Sequence, residues 1–220
     1  MPITNTRRDG TRRATTRAEE VANSISHGVG FVAAAVAVPV LILTAVRQSD
    51  VAGIVGASVF GAVTLLLYLT SSVYHALRPG RTKKVFQMLD HAAIFLMIAG
   101  SYTPFMLGVL GGGWGWAILG AVWTLALAGI TMKVFVGMRF PGVSLAVYLA
   151  MGWLAILAIK PLWAAIPGWG LFWIGAGGIS YTVGTVFFLA ERVRYAHFVW
   201  HLFVLGGSSC HFVAVLFYGL

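Results

Sequence analysis

The feature that most constrains this chain is a unit that recurs along it: a run of predominantly apolar residues bounded by short stretches rich in Gly, Pro or charge. A helix that crosses a membrane needs about 20 such residues, because the hydrocarbon core is about 30 Å thick. Seven runs of this kind follow one another, at residues 26–46, 51–74, 89–110, 114–133, 143–159, 170–190 and 197–219. The sequence therefore predicts an all-α fold, a seven-transmembrane-helix bundle.

The composition agrees with this interpretation. Hydrophobic residues make up 59% of the chain and charged residues only 10%, whereas a soluble domain is about 25% charged. We expect a polytopic, multi-pass protein of the inner (plasma) membrane. Residues 1–24 would form a basic, polar cytoplasmic tail, and residues 25–220 the transmembrane domain.

The charge balance is strongly basic, with 15 Lys and Arg against 6 Asp and Glu. In a soluble protein this would suggest nucleic acid. Here the basic residues flank the apolar runs, so we expect membrane lipid and no nucleic acid as a partner. If the N-terminal tail is cytoplasmic, only Arg47 and Lys160 fall on the opposite side of the membrane. The positive-inside rule then predicts a cytoplasmic N-terminus and an external C-terminus.

This topology brings four polar residues to one depth. His75 ends the second predicted span, Asp90 opens the third, and His197 and His201 open the seventh. All four positions fall near the cytoplasmic side. Because the orientation was drawn from Lys and Arg alone, this convergence is an independent observation.

The histidine spacing suggests a metal site. His197 and His201 stand four residues apart, so on a helix they share a face, with Cβ atoms about 5–6 Å apart. With a third imidazole from His75 they would leave one open position around Zn²⁺, which is the pattern of a catalytic rather than a structural zinc site. The predicted metal ligands are His75, His197 and His201.

Two further residues complete the predicted site. Zinc lowers the pKa of a bound water to about 7 and so activates it as a nucleophile. Asp90 would then act as general base. Ser71 stands one helical turn before His75 and would hydrogen-bond the water or a substrate carbonyl.

Each assignment has an alternative that the sequence leaves open. A histidine at a helix end can be satisfied at the membrane interface, Asp90 can cap the third helix, and Ser71 can bond its own helix backbone. His211 lies about 15 Å beyond His201 along the helix axis. It cannot share the ion, and a bond to a neighbouring helix is expected.

His27 and His91 are not predicted to be metal ligands. His27 and Asn23 share a face of the first helix on the cytoplasmic side, where they would brace the site by packing rather than bind metal. His91 lies about 100° around its helix from Asp90, which makes it at most an outer neighbour of the site.

Several short motifs resemble those of one known family. They are Glu19-Glu20-Val21-Ala22-Asn23 with His27-Gly28, Ser71-Ser72-Val73-Tyr74-His75, Leu89-Asp90-His91, Gly100-Ser101-Tyr102-Thr103-Pro104-Phe105, His197-Phe198-Val199-Trp200-His201 and His211-Phe212. Together they make the chain similar to the hemolysin III family, the bacterial branch of the progestin and adipoQ receptor superfamily. The resemblance covers nearly the whole chain.

The resemblance implies seven helices, a cytoplasmic N-terminus and a zinc ion near the cytoplasmic face. It implies His75, His197 and His201 as the ligands, with Ser71 and Asp90 beside them. Adiponectin receptors in the superfamily are associated with ceramidase-like amide hydrolysis, which implies a zinc-dependent hydrolase of lipid amide or ester bonds. Two alternatives stay open: a non-enzymatic membrane-homeostasis or receptor-like protein with structural zinc, and the cytolytic protein that the family name implies.

Overall fold

The computed structural model describes residues 13–220, so Arg7, Arg8 and Arg12 of the basic tail lie outside the described residues. Between residues 13 and 220 the chain is helical, without strands. The elements are α1 (Arg17–Gln48), α2 (Val51–Ala76), α3 (Arg81–Thr103), a π-helical segment (Pro104–Leu110), α4 (Gly112–Val136), α5 (Pro141–Gly152), a 3₁₀ segment (Leu154–Ala158), α6 (Ile159–Ala165), α7 (Gly168–Leu189) and α8 (Ala196–Tyr218).

These elements make seven helical spans that are long and apolar enough to cross a membrane. α3 continues through the π-helical segment as the third span, and α5, the 3₁₀ segment and α6 together form the fifth. The predicted all-α, seven-span bundle is therefore confirmed for the described part of the chain.

The bundle is apolar outside as well as inside. Val36 and Phe217 are 69% and 68% exposed on its outer surface, while Phe60 and Phe95 are buried between helices. A soluble protein rarely exposes apolar side chains so extensively, so the outer surface suits lipid. Consecutive spans pack against each other, and α1 also packs against α8, which brings the first and last spans together.

α1 begins at Arg17, well before the predicted start of the first span at residue 26. A capping box makes this early start favourable: Thr16 Oγ1 accepts from the backbone N–H of Glu19, and the Glu19 carboxylate accepts from the backbone N–H of Thr16 at 2.9 Å. Such reciprocal bonds satisfy donors that a helix start otherwise leaves unpaired. The polar residues from Glu19 to Asn23 therefore belong to a helix that packs against α2 and α8.

The fifth span continues past its predicted end at residue 159, because α6 runs to Ala165. Pro161 does not end it, since proline is tolerated in the first turn of a helix, where its missing N–H would have no partner. The prediction placed the end of the span too early for this reason.

The same span is broken near its middle, between α5 and the 3₁₀ segment. Tyr102 of α3 occupies the break. Its hydroxyl lies 2.8 Å from the carbonyl oxygens of Met151 and Gly152 and accepts from the backbone N–H of Ala155 at 2.9 Å. In hydrocarbon such freed backbone groups need a partner within the protein, and Tyr102 supplies it.

α8 is held tightly against α7. At Gly207 of α8, an added Cβ would lie 2.6 Å from the ring of Tyr181 on α7, so only glycine permits this approach. Close packing through small residues is typical of helices in membranes. It fixes α8, and with it the side chains near its start, between α7 and α1.

Candidate metal centre

Three histidines from two distant parts of the chain meet at one end of the bundle. His75 stands in the last turn of α2, and His197 and His201 in the first turns of α8. One ligand nitrogen from each lies within 4.8 Å of the others. The ring centroids are 5.1 Å apart for His75 and each of the other two, and 4.7 Å apart for His197 and His201. This group could hold a metal ion.

The chemistry of the three side chains fits a divalent metal. Nε2 of His75 is buried and has no hydrogen-bond partner. A buried polar atom without a partner costs about 1–3 kcal/mol, and this one belongs to the group of three imidazoles. Imidazole nitrogen is a ligand for Zn²⁺ and other transition metals. Three such ligands would leave a coordination position open.

Asp90 and Ser71, the two other residues of the predicted site, line the same cavity as His197 and His201. Their exposed fractions are 8% and 1%. Asp90 is not among the mutually close ligand atoms. The structure therefore brings the five predicted residues into one region, three as a possible metal-holding group and two as its neighbours.

The structure also removes two of the alternatives. Asp90 does not cap the third helix, because α3 begins at Arg81 and the residue at its cap position is Gly80. Ser71 does not bond its own helix backbone, since its Oγ has no hydrogen bond to a backbone group of the described residues. Both side chains are buried, and Ser71 interacts with Asp90.

α1 contributes the brace that the sequence suggested. The ring of His27 stacks on the ring of His201, and the carbonyl oxygen of Asn23 lies 3.1 Å from His201 Nδ1. Ser26 adds a contact that was not predicted, with its Oγ 3.0 Å from the same nitrogen. His27 is not part of the metal-holding group.

The sequence interpretation missed Glu20. Its Oε2 lies 2.8 Å from His75 Nδ1 and its Oε1 lies 3.0 Å from Lys83 Nζ. The predicted first span began after this residue, so Glu20 was left in the tail. The Thr16-x-x-Glu19 pattern was the available signal, because a capping box marks a helix start ahead of the apolar run.

Glu19 has a different role, at the start of α8. Its carboxylate accepts from the backbone N–H of Tyr195 at 2.9 Å and also pairs with Arg13. Tyr195 precedes α8 with a φ of 58°, a left-handed conformation that is uncommon outside glycine. The contact joins the first turn of α1 to the turn that begins α8, two residues before His197.

The other two histidines lie away from the group. His211 Nε2 donates to the carbonyl oxygen of Ile174 on α7 at 3.3 Å, the expected bond to a neighbouring helix. His91 lines the cavity, and its carbonyl oxygen accepts from the hydroxyl of Tyr148 at 2.7 Å.

The cavity runs from the histidines along the interior of the bundle. Along α3 and the π-helical segment its lining extends from Asp90 to Met106, roughly 24 Å at the rise of an α-helix. Most of the lining is apolar, as at Ile94, Met97 and Phe105, although Ser101, Tyr181 and His211 add polar groups farther from His197 and His201. A long, mostly apolar cavity that reaches His197 and His201 suits a ligand with a headgroup and a hydrocarbon chain.

Comparisons with known proteins agree with this architecture. The family model described as "Haemolysin-III related" matches residues 15–212. "Hemolysin-3" of Bacillus cereus is 46% identical over 202 residues, which is 92% of each chain. The "Hemolysin-3 homolog" of Bacillus subtilis (strain 168) is 46% identical over 200 residues, 91% of this chain and 94% of that protein. The human "Monocyte to macrophage differentiation factor" is 28% identical over 167 residues, 71% of this chain and 67% of that one.

Proposed function

The chain belongs to the hemolysin III family, a family of multi-pass membrane proteins, and we propose that it is a zinc-dependent hydrolase of lipid amide or ester bonds. The observation that carries the proposal is the meeting of His75, His197 and His201, of which His197 and His201 line a long, mostly apolar cavity. With the N-terminus in the cytoplasm, as the distribution of Lys and Arg predicts, the reaction takes place in the cytoplasmic leaflet.

The three histidines would hold the metal. A Zn²⁺ ion bound there would supply Lewis acidity, which polarises a carbonyl group and lowers the pKa of water. Zinc is favoured over magnesium or calcium because the ligand atoms are imidazole nitrogens, while the latter two ions prefer oxygen.

Asp90 and Ser71 supply the proton chemistry and the orientation. The Asp90 carboxylate takes the proton from the attacking water and returns it to the departing amine or alcohol. The buried Ser71 hydroxyl donates to the carbonyl oxygen of the scissile bond. Both side chains are buried, so bulk water does not compete for them.

The apolar part of the cavity binds the acyl chain. One leaflet is about 15 Å deep, half of the hydrocarbon core, and the lining between Asp90 and Met106 exceeds this length. An acyl chain laid along it places the headgroup bond at the histidine end. This geometry favours a lipid substrate over a water-soluble amide.

A second candidate is a non-enzymatic protein in which the metal only joins α2 to α8. It is favoured by the position of Asp90 outside the group of mutually close ligand atoms. Chelation would then lower the unfolding temperature, while no lipid would be turned over by the zinc-loaded protein.

The name of the Bacillus cereus relative suggests lysis as a further activity. A lytic pore needs a polar path through the whole bundle, and the cavity lining between Ile94 and Phe105 is mostly apolar. We expect purified protein added to dye-loaded vesicles to release no dye.

The deciding experiment is lipid hydrolysis by the purified full-length chain in lipid nanodiscs, assayed with N-acyl and O-acyl lipids. Release of fatty acid is expected from the wild type, with loss on chelation, recovery on adding Zn²⁺, and loss in His201→Ala. Zinc-loaded wild type that releases no fatty acid from any lipid class would favour the structural role instead.

A further inference from the structure

We propose that Glu20 is a positioning residue of the metal site: its carboxylate selects the tautomer of His75 that presents Nε2 to the metal. The inference rests on the proposed metal site and adds a residue that lies outside the ligand group. Glu20 stands on α1, which contributes no residue to the group of three histidines.

The hydrogen-bond partners of His75 decide its tautomer. Two groups contact His75 Nδ1: Glu20 Oε2 at 2.8 Å and, more distantly, Asn23 Nδ2 at 3.5 Å. An ionised carboxylate can only accept a hydrogen bond, so in the shorter contact Nδ1 carries the proton. A neutral imidazole then has its lone pair on Nε2, the buried nitrogen without a hydrogen-bond partner, and this atom is left to bind a metal.

Glu20 has a second partner, on α3. Lys83 Nζ lies 3.0 Å from Glu20 Oε1, the carboxylate oxygen that His75 does not use. Lys83 also donates to the carbonyl oxygen of Leu77, at the end of α2, at 3.2 Å. The two oxygens of one carboxylate therefore have separate partners, one at the metal site and one outside it.

The Nδ1 atom of His201 is also held by hydrogen-bond acceptors on α1, here a carbonyl and a hydroxyl oxygen. Its Nδ1 lies 3.1 Å from the carbonyl oxygen of Asn23, and a carbonyl oxygen can only accept. Ser26 Oγ donates to that same carbonyl at 2.8 Å, which leaves a lone pair of its oxygen for His201 Nδ1 at 3.0 Å. Two of the three candidate ligands thus have Nδ1 fixed by α1 and Nε2 left for coordination.

Partners that orient a ligand histidine typically change metal affinity by about 10–100-fold when they are removed. Glu20→Ala removes the acceptor and lets His75 adopt either tautomer. Glu20→Gln keeps a side-chain oxygen that can accept from Nδ1, although without charge. Lys83→Met is the matched control, because it removes the other partner of Glu20 and leaves the contact to His75.

The experiment measures Zn²⁺ affinity of the full-length chain in nanodiscs by competition with a fluorescent chelator. The d–d absorption spectrum of the Co²⁺-loaded protein is recorded alongside, and the unfolding temperature of the metal-free protein shows that each variant folds. We expect affinity to fall about 10–100-fold in Glu20→Ala, to be partly restored in Glu20→Gln, and to stay within about threefold of wild type in Lys83→Met. The Co²⁺ spectrum should change only in Glu20→Ala.

Two results would overturn the inference while leaving the metal site intact: wild-type affinity and spectrum in Glu20→Ala, or a loss in Lys83→Met equal to that in Glu20→Ala. The second would mean that the ion pair acts by holding α3 and not through His75. A wild-type chain that binds neither Zn²⁺ nor Co²⁺ would remove the metal site and this inference together.

Discussion

The imidazole rings of His27 and His201 lie stacked, with centroids 3.6 Å apart and planes inclined by only 8°. His27 comes from α1 and His201 from α8, so the contact joins the first and last spans. Neither nitrogen of His27 has a hydrogen-bond partner among the described residues. Within the protein, His27 therefore supports His201 through ring packing.

This relationship predicts that a flat apolar ring can replace His27. His27→Phe keeps the stacking surface and removes two unpartnered nitrogens, so Zn²⁺ affinity should stay within about threefold of wild type. His27→Ala leaves a cavity beside His201, and the unfolding free energy should fall by about 1–3 kcal/mol. Chelator competition and thermal unfolding in nanodiscs measure the two effects. Equal affinity losses in both variants would show that the nitrogens, and not the ring, are required.

A second prediction concerns Glu19, which caps α1 and holds the backbone of Tyr195 at the start of α8. Glu19→Ala removes both contacts, and each is a hydrogen bond to a charged group. We expect the unfolding free energy to fall by about 2–4 kcal/mol, at about 1.5–3 kcal/mol for each such bond before compensation. Hydrogen exchange should rise at the first turn of α8.

Asp50→Ala is the matched control for that variant. Asp50 lies between α1 and α2 and caps α2 by accepting from the backbone N–H of Gly53 alone. Asp50→Ala should therefore lower the unfolding free energy less than Glu19→Ala, and it should not change hydrogen exchange in α8. Exchange in α8 that is the same in Glu19→Ala as in wild type would contradict the proposed link between the two helix starts.

The broken fifth span gives a third prediction. The Tyr102 hydroxyl serves three backbone groups at the break, whereas the Tyr148 hydroxyl serves only the carbonyl of His91. Tyr102→Phe removes the side-chain partner of Gly152 O and Ala155 N–H, whereas Met151 O keeps the backbone N–H of Trp153. It should therefore destabilise the protein more than Tyr148→Phe, at about 1–3 kcal/mol for each unsatisfied group. Thermal unfolding of the two variants shows which of them is less stable. Equal stability of Tyr102→Phe and wild type would show that the break is satisfied without this hydroxyl.

Much of this architecture could be predicted from the sequence, because hydrophobicity over 20 residues reports directly on the ability to cross a bilayer. The histidine cluster could be predicted as well. The alternation of the seven predicted spans determines which helix ends share a side of the membrane, so His75, His197 and His201 are predicted to lie at one depth without any knowledge of packing.

The contacts that α1 makes to the histidines and the break in the fifth span could not be predicted from the apolar runs or the topology. Glu20 stands outside the apolar run, and its role at the site depends on contact with His75, which lies 55 positions away in sequence. The break between α5 and the 3₁₀ segment depends on Tyr102, a residue of another helix, whose hydroxyl bonds the freed backbone groups. Partners of this kind follow from tertiary packing, which local patterns do not report.

The membrane orientation is a fourth prediction. Only Arg47 and Lys160 would lie outside if the N-terminus is cytoplasmic, so the C-terminus should be external. A fluorescent protein that matures only in the cytoplasm should stay dark when fused after Leu220, while alkaline phosphatase fused there should be active. N-terminal fusions are the control, with the opposite outcome. A fluorescent C-terminal fusion would contradict the orientation, and with it the assignment of the metal site to the cytoplasmic leaflet.

The central claim, that His75, His197 and His201 together hold one zinc ion, is tested most directly by metal analysis. Inductively coupled plasma mass spectrometry on the purified full-length chain should find about one zinc per wild-type chain. It should find almost none in a folded His197→Ala variant. A wild-type chain purified in the presence of zinc yet free of metal, or a His197→Ala chain with a full complement of zinc, would contradict the account.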